Sequence, residues 1–302
     1  MTLATSSWDP RSWFALYRYG GDFAGTATRL RFYEGVLEKD PRLTAVASEE
    51  VATGITCYIL REHFGLDHIA DAYACIQRGE LVYVNPPLQG RPDYFCEDSR
   101  GETVLAESKG STGTNSSITQ RIDPEGLAQV QNVRPVSKPL RGTCSRVVIG
   151  THFCVESRHP RSETTTIVRD PEGEPSQERN PNSDMVVRLA YAKALRFMGH
   201  DVLAARLIAR RPFPETFPPL EDAALPRLAG LPVLILGESP FGDAIGFYGP
   251  TIKALFARST ATILESVNRS LLEFKDQRAR LEPLGYGLPN GVVVIHEPDE
   301  LT

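Results

Sequence analysis

The chain has 302 residues, of which 41% are hydrophobic and 24% are charged, and this is the composition of an ordinary globular protein. Its formal net charge of −5 gives no general attraction for nucleic acid, so any such binding must come from a local basic patch. The sequence has no run of about 18 apolar residues, and its opening MTLATSSWDPRSW lacks the apolar core of a secretion signal. We therefore expect a cytoplasmic protein that does not enter a membrane.

The cysteines and histidines do not form metal-binding motifs. The five cysteines are dispersed without a CxxC pair, and the six histidines form no HxxxH or HxH pair. An odd, scattered set of cysteines argues against a disulfide framework and against a structural zinc site. We expect the cysteines to be small buried side chains.

Residues 1–44 are predicted to form an N-terminal extension in which aromatic residues alternate with arginines, as at Trp13, Arg18 and Tyr19. Aromatic rings beside cations suit a nucleic-acid surface. Packing of these rings beneath a neighbouring element is the more common explanation, and the sequence leaves both open.

The next segment predicts helices. Ser48 followed by Glu49 and Glu50 is typical of a helix start, and Gly65 of a helix end, so we predict a helix over 48–64. A second helix is predicted from about Asp67 to Gln77.

Short apolar runs between turn residues then predict a meander of strands. These strands are expected at 80–84, 93–96 and 103–109. The stretch GSTGTNSS at 110–117 predicts a mobile loop, and Pro124 near a first turn predicts a short helix over 124–132. Two more strands are predicted at 146–155 and 164–168.

The polar segment 170–184, DPEGEPSQERNPNSD, is the best candidate for a domain boundary. Beyond it, residues 185–302 are predicted to form a C-terminal α+β region whose role the sequence does not indicate. Its expected elements are a helix over 185–211, a hairpin of strands at 231–236 and 244–248, a helix over 260–281 and a strand at 291–295.

The residues with the clearest chemical meaning are Pro92-Asp93 and, 107 − 93 = 14 positions later, Glu107-Ser108-Lys109. Side chains alternate between the two faces of a strand, so Glu107 and Lys109 should project on one face. If the two strands pair through the turn at 98–101, Asp93 lies close to Glu107. Two carboxylates beside an ammonium suit a magnesium site, because this hard cation takes carboxylate oxygens, water and substrate phosphate.

This pattern resembles the PD-(D/E)XK nuclease superfamily, whose core is ordered helix, three strands, helix, strand. The resemblance covers about residues 45–170 and implies an α/β fold with a restriction endonuclease-like mixed sheet flanked by helices. It implies a magnesium-dependent deoxyribonuclease, with manganese able to substitute, in which Asp93 and Glu107 bind the metal and Lys109 acts on the attacking water or the transition state.

The resemblance also implies two further site residues. Many members have a glutamate on the first helix, for which Glu50 is the choice as a metal ligand and Glu49 the alternative. Some have a glutamine on the helix after the lysine strand. Gln129 matches this position, with Gln131 as the weaker match, although the GSTGTNSS insertion departs from the family pattern.

Function and partners follow from the resemblance only as expectations. It implies DNA as the substrate, a role in phage defence or DNA repair, and either a homo-oligomer or a partner protein. An alternative is a non-cleaving nucleic-acid-binding or scaffold subunit, and a third possibility is a phosphatase or nucleotide hydrolase that uses the same acids. Glu and Lys also often form simple ion pairs on exposed strand surfaces, and this is the non-functional explanation of the Glu107-Ser108-Lys109 motif.

Overall fold

The computed structural model divides the chain into two compact units, Met1–Asn180 and Pro181–Thr302. The boundary between them falls within the polar segment 170–184. The residues that the structure describes are 30–32, 35, 40–85, 90–99, 101–112, 115–136, 144–155, 164–170, 184–215, 217, 220, 224–238, 243–257, 263–281, 284–287 and 291–296. Most of the predicted N-terminal extension, and residues 171–183 of the polar segment, lie outside them.

The first unit contains four helices and seven strands among its described residues. They are α1 (Pro41–Glu62), β1 (His68–Asp71), α2 (Ala72–Gln77), β2 (Leu81–Tyr83), β3 (Tyr94–Glu97), β4 (Thr103–Ser111), α3 (Asn115–Gln120), α4 (Leu127–Gln131), β5 (Val133–Pro135), β6 (Ser145–His152) and β7 (Thr165–Arg169). A wide helical turn over Arg121–Gly126 joins α3 to α4.

Five of these strands form a mixed sheet in the order β1-β3-β4-β6-β7. The β4–β6 pair is parallel and the other three pairs are antiparallel. The connection between the two parallel strands contains α3 and α4, as a crossover between parallel strands requires. The unit is therefore mixed α/β, with a mixed sheet and helices.

Helix α1 starts earlier than the sequence predicted. Asp40 is its N-cap, with Oδ1 accepting a hydrogen bond from the Arg42 backbone N–H at 2.7 Å, and Pro41 occupies the first helical position. Ser48 is not a cap but a buried residue whose hydroxyl donates to the Ala45 carbonyl at 2.8 Å. The predicted end agrees with the structure to within two residues, since α1 ends at Glu62 with His63 as its C-cap, and Gly65, whose φ is +67°, follows in the turn.

The helix predicted over 67–77 is wrong in its first part. Its first residues form β1, which pairs with β3, and only Ala72–Gln77 is helical. Asp71 accounts for the division, since its carboxylate accepts hydrogen bonds from the backbone N–H groups of Tyr73 and Ala74 and so starts the helix there.

Two further predictions in this region need correction. The strand predicted at 80–84 exists as β2, but it pairs with β5 in a separate two-stranded sheet. Strand β4 continues through Gly110 and Ser111, and α3 begins at Asn115, so most of GSTGTNSS belongs to regular elements. The predicted loop is reduced to the few residues around 112–114, of which 113 and 114 lie outside the described part.

Helical layers cover the two faces of β4. On one face, Ala106 belongs to a buried cluster with Cys57 and Leu60 of α1, and the Thr56 and Ser108 hydroxyls lie 2.9 Å apart. The other face of the sheet carries a second cluster from the α3–α4 region and β6, made of Ile118, Ile122, Val130 and Val148. Since Val148 is the register partner of Glu107, the latter projects into this second layer.

Gly110 allows the backbones of α1 and β4 to touch. A Cβ atom added at Gly110 would lie 2.1 Å from the Ser48 carbonyl oxygen and 2.9 Å from the Glu49 backbone nitrogen, and neither atom belongs to a flexible side chain. We expect Gly110→Ala to lower the free energy of unfolding by about 3 kcal/mol or more, because helix and strand must separate. Chemical denaturation measures the change.

The control for this prediction is Gly65→Ala. Gly65 has positive φ, but an added Cβ would meet no atom within 4 Å, so the cost there is limited to about 1 kcal/mol of backbone strain. Equal destabilisation by the two substitutions would contradict the close approach of α1 to β4.

The second unit has its own antiparallel sheet, with strand order β11-β12-β10-β9-β8. Its described elements are α5 (Asp184–Phe197), α6 (Asp201–Ile208), β8 (Arg227–Leu228), β9 (Leu231–Glu238), β10 (Ala244–Tyr248), α7 (Gly249–Leu255), α8 (Ile263–Gln277), β11 (Gly285–Gly287) and β12 (Val292–Ile295). The predicted hairpin is confirmed as β9–β10, and the last helix and strand are found close to their predicted bounds.

The long helix predicted over 185–211 is instead two helices. The chain leaves the helical conformation at Gly199, whose φ is +82°, and α6 starts at Asp201. The apolar periodicity runs through both helices, which is why the pattern alone did not show the break.

No helix in the described ranges is both long enough and apolar enough to span a membrane.

Candidate active site

Asp93 and Glu107 are brought together by the pairing of β3 with β4. Tyr94 is the register partner of Ala106, so Asp93, directly before β3, lies opposite Glu107. The Asp93 backbone N–H donates to Glu107 Oε2 at 2.9 Å, and the Ser108 backbone N–H donates to Asp93 Oδ2 at 3.1 Å. Each carboxylate is therefore fixed by the backbone of the strand that carries the other.

Lys109 lies two residues along β4 and contacts the same carboxylate. Its Nζ is 2.8 Å from Glu107 Oε1, 3.0 Å from Glu125 Oε1 and 2.5 Å from Gln129 Oε1. An ammonium has three protons to donate, and each has an acceptor here. Because Lys109 is buried, its head group is held in one position rather than sampling solvent.

The pKa values of Glu107 and Lys109 are both raised, because the two side chains lie in a buried site with excess negative charge. Burial, followed by the nearby Asp93 carboxylate, raises the pKa of Glu107 to about 8, against the opposing effect of Lys109. Burial lowers the pKa of Lys109, but the carboxylates of Glu107 and Glu125 outweigh it and the net pKa is raised. Lys109 thus stays cationic, while Glu107 binds a proton more readily than a free glutamate does.

Gln129, predicted as a site residue, contacts Lys109, whereas no contact places Gln131 there. Gln129 is also packed beneath the segment that leads to Asp93. A Cβ atom added at Gly90 would lie 2.8 Å from Gln129 Nε2, and the Gly90 carbonyl accepts a hydrogen bond from Asn132 Nδ2 at 2.8 Å. Helix α4, which carries Gln129, therefore packs against both Lys109 and the segment that contains Gly90.

Glu125 is a site residue that the sequence reasoning missed. It lies four positions before Gln129, the spacing that places two side chains on one helical face, and both contact Lys109. That spacing was the available signal. The side chain is 55% exposed, so Glu125 forms the solvent-facing edge of the site.

Glu50 is not brought to this cluster. It lies on α1, which contacts β4 at Ser108 and Gly110, on the face opposite to Glu107. Its Oε2 atom is shielded from solvent. The alternative, Glu49, forms an ion pair with Arg121 at 2.7 Å, and Arg121 also donates to the Gly110 carbonyl.

Within the described ranges, no group of three or more histidine, cysteine, aspartate or glutamate residues is placed to hold a metal ion. The predicted three-acid site of Glu50, Asp93 and Glu107 is therefore not formed. Asp93 and Glu107 are the two of these residues that lie next to each other. A pair of carboxylates still suits magnesium, which is commonly bound by one or two carboxylates with water and substrate phosphate as the other ligands. Burial and then the Asp93 carboxylate raise the pKa of Glu107, and a bound cation would offset both effects by stabilising the charged form.

Comparison of the chain with protein-family models, with curated proteins and with solved structures finds no match. The resemblance to the PD-(D/E)XK superfamily therefore remains a prediction from the motif.

Proposed function

We propose that the first unit is a magnesium-dependent nuclease that hydrolyses phosphodiester bonds in DNA. The observation that carries this proposal is the convergence of Asp93, Glu107 and Lys109 on one face of the sheet, with Glu107 accepting both the Asp93 N–H and the Lys109 ammonium. A surface ion pair would need neither the burial of Glu107 and Lys109 nor the second carboxylate.

The topology of the first unit supports the same proposal. Its main elements run helix, three strands, helix, strand: α1, then β1, β3 and β4, then α3–α4, then β6. This is the order that the resemblance implies for the nuclease core. The first strand of the three is β1 rather than the segment predicted at 80–84. Asp93 directly precedes the second strand, β3, and Glu107 lies on the third, β4.

Asp93 and Glu107 would hold the metal ion through their carboxylates. When bound there, magnesium would supply an activated water and neutralise charge on the phosphate. The chain itself contributes fixed geometry, because the backbone N–H groups of Asp93 and Ser108 keep the two carboxylates from turning away.

Lys109 would provide the positive charge that stabilises the developing negative charge of the transition state. Its ammonium is already oriented by Glu125 and Gln129, so little reorganisation is needed when substrate binds. Glu125 and Gln129 are positioning residues in this scheme, since they act through Lys109.

The proposal is tested by incubating the protein with plasmid DNA and magnesium, alongside Lys109→Ala purified in the same way. Cleavage by the wild type alone supports the proposal, and equal nicking by both proteins traces the activity to a contaminant. A parallel assay with a small phosphate monoester separates the phosphatase alternative, which releases phosphate but leaves the plasmid intact.

A further inference from the structure

An exposed arginine lies over the ring of an exposed tyrosine, two residues before Asp93 of the candidate active site. The Arg91 guanidinium carbon lies 4.6 Å from the centroid of the Tyr73 ring, within the distance of a cation–π contact. Tyr73 is 48% exposed and Arg91 is also exposed. No carboxylate in the described part of the chain forms an ion pair with Arg91.

The backbone places this pair next to Asp93. Arg91 precedes Asp93 by two residues, a chain distance of at most about 7 Å between their Cα atoms. Tyr73 is at the start of α2, and the adjacent Ala72 backbone N–H donates to the Asp93 carbonyl at 3.0 Å. Arg91 is therefore close to Asp93 along the chain, and Tyr73 is next to a residue whose backbone is hydrogen-bonded to Asp93. Asp93 is one of the two predicted metal ligands.

A guanidinium in contact with an aromatic ring can still bind a phosphate through its N–H groups. The contact with the ring restricts where the guanidinium can move, while its N–H groups are suited to paired hydrogen bonds with phosphate oxygens. Successive phosphates of one strand of a duplex rise by about 3.4 Å along the helix axis, so a cation this close to Asp93 can reach one near the scissile position.

We propose that Arg91, held against the Tyr73 ring, binds a DNA phosphate neighbouring the one at Asp93 and Glu107. The identity of the ligand as DNA rests on the proposed function. The pair accounts for how an acidic chain can hold a polyanion at an acidic site, since it places one fixed cation outside the carboxylate pair.

The test is a binding measurement rather than a cleavage assay. Fluorescence anisotropy of a short labelled DNA duplex is recorded in EDTA over a range of salt concentrations, for the wild-type chain and Arg91→Ala. We expect affinity to fall by about tenfold and the slope of log affinity against log salt to lessen by about one in Arg91→Ala. Arg91→Lys should keep the slope while losing part of the affinity, and Tyr73→Phe should bind as the wild type does.

The charge-matched control is Arg78→Ala, an exposed arginine at the end of the same α2 helix. If Arg91→Ala and Arg78→Ala lose the same DNA affinity, the effect comes from overall charge alone and the proposal is overturned. Weaker binding with an unchanged salt slope would indicate base stacking and overturn it as well, as would a wild-type chain that does not bind DNA. Because EDTA excludes catalysis, binding can succeed while hydrolysis fails, which keeps the two proposals distinguishable.

Discussion

Lys109→Ala is expected to reduce magnesium-dependent cleavage of plasmid DNA by about 10²- to 10³-fold, the usual cost of removing one group that stabilises transition-state charge. The reason is local: Lys109 is the cation that contacts Glu107, and both are buried. The rate of conversion of supercoiled to nicked plasmid, at saturating magnesium, is the measurement. Lys275→Ala removes an exposed lysine of α8 in the second unit and should cleave as the wild type does.

This substitution also leaves two carboxylates without their cation, so the variant must be shown to be folded. Breaking a buried ion pair by removing one partner costs about 3–5 kcal/mol, and Lys109→Ala could lose activity by unfolding. Asp93→Asn provides a second variant, because its amide oxygen can still accept the Ser108 N–H. A folded Asp93→Asn that cleaves DNA at the wild-type rate would contradict the assignment of Asp93 as a metal ligand.

Glu107→Gln is expected to change how stability depends on pH. The folded-state pKa of Glu107 is about 8, above its ordinary value of 4.5, because burial and Asp93 disfavour its charged form. The folded state therefore binds more protons than the unfolded state between these values, and the wild type loses stability as pH rises from about 5 to about 8. The effect is on the order of a few kcal/mol, and glutamine cannot show it because it does not titrate.

Thermal unfolding at a series of pH values, without divalent cations, measures this effect. The melting temperature of the wild type should fall relative to that of Glu107→Gln as pH rises, and added magnesium at pH 8 should recover more of it in the wild type. Glu273→Gln, a substitution at an exposed glutamate of α8, should follow the wild type. If the melting temperatures of the wild type and Glu107→Gln change with pH in the same way, the conclusion that burial and Asp93 raise the pKa of Glu107 is contradicted.

The sequence was informative where a motif depends on strand alternation. The two-residue period of β4 was enough to place Glu107 and Lys109 on one face, and the turn between β3 and β4 was enough to place Asp93 beside them. Gln129 was predicted only through the resemblance, which implies a glutamine on the helix after the lysine strand, and in the structure it contacts Lys109.

The sequence was uninformative where tertiary pairing decides the outcome. His68–Asp71 reads as the start of a helix, yet it becomes an edge strand because β3 offers a partner and Asp71 delays the helix. Glu50 was chosen because the resemblance implies a glutamate on the first helix. The structure instead puts the contacts of α1 on the other face of β4, a choice set by Gly110 and Ser108.

The central claim is that Asp93 and Glu107 together bind a divalent cation, and a crystal of the protein soaked in manganese tests it most directly. We predict an anomalous-scattering peak between the two carboxylates, absent from crystals of Asp93→Asn treated in the same way. Crystals that show no manganese there, at a concentration that supports cleavage in solution, would contradict the claim.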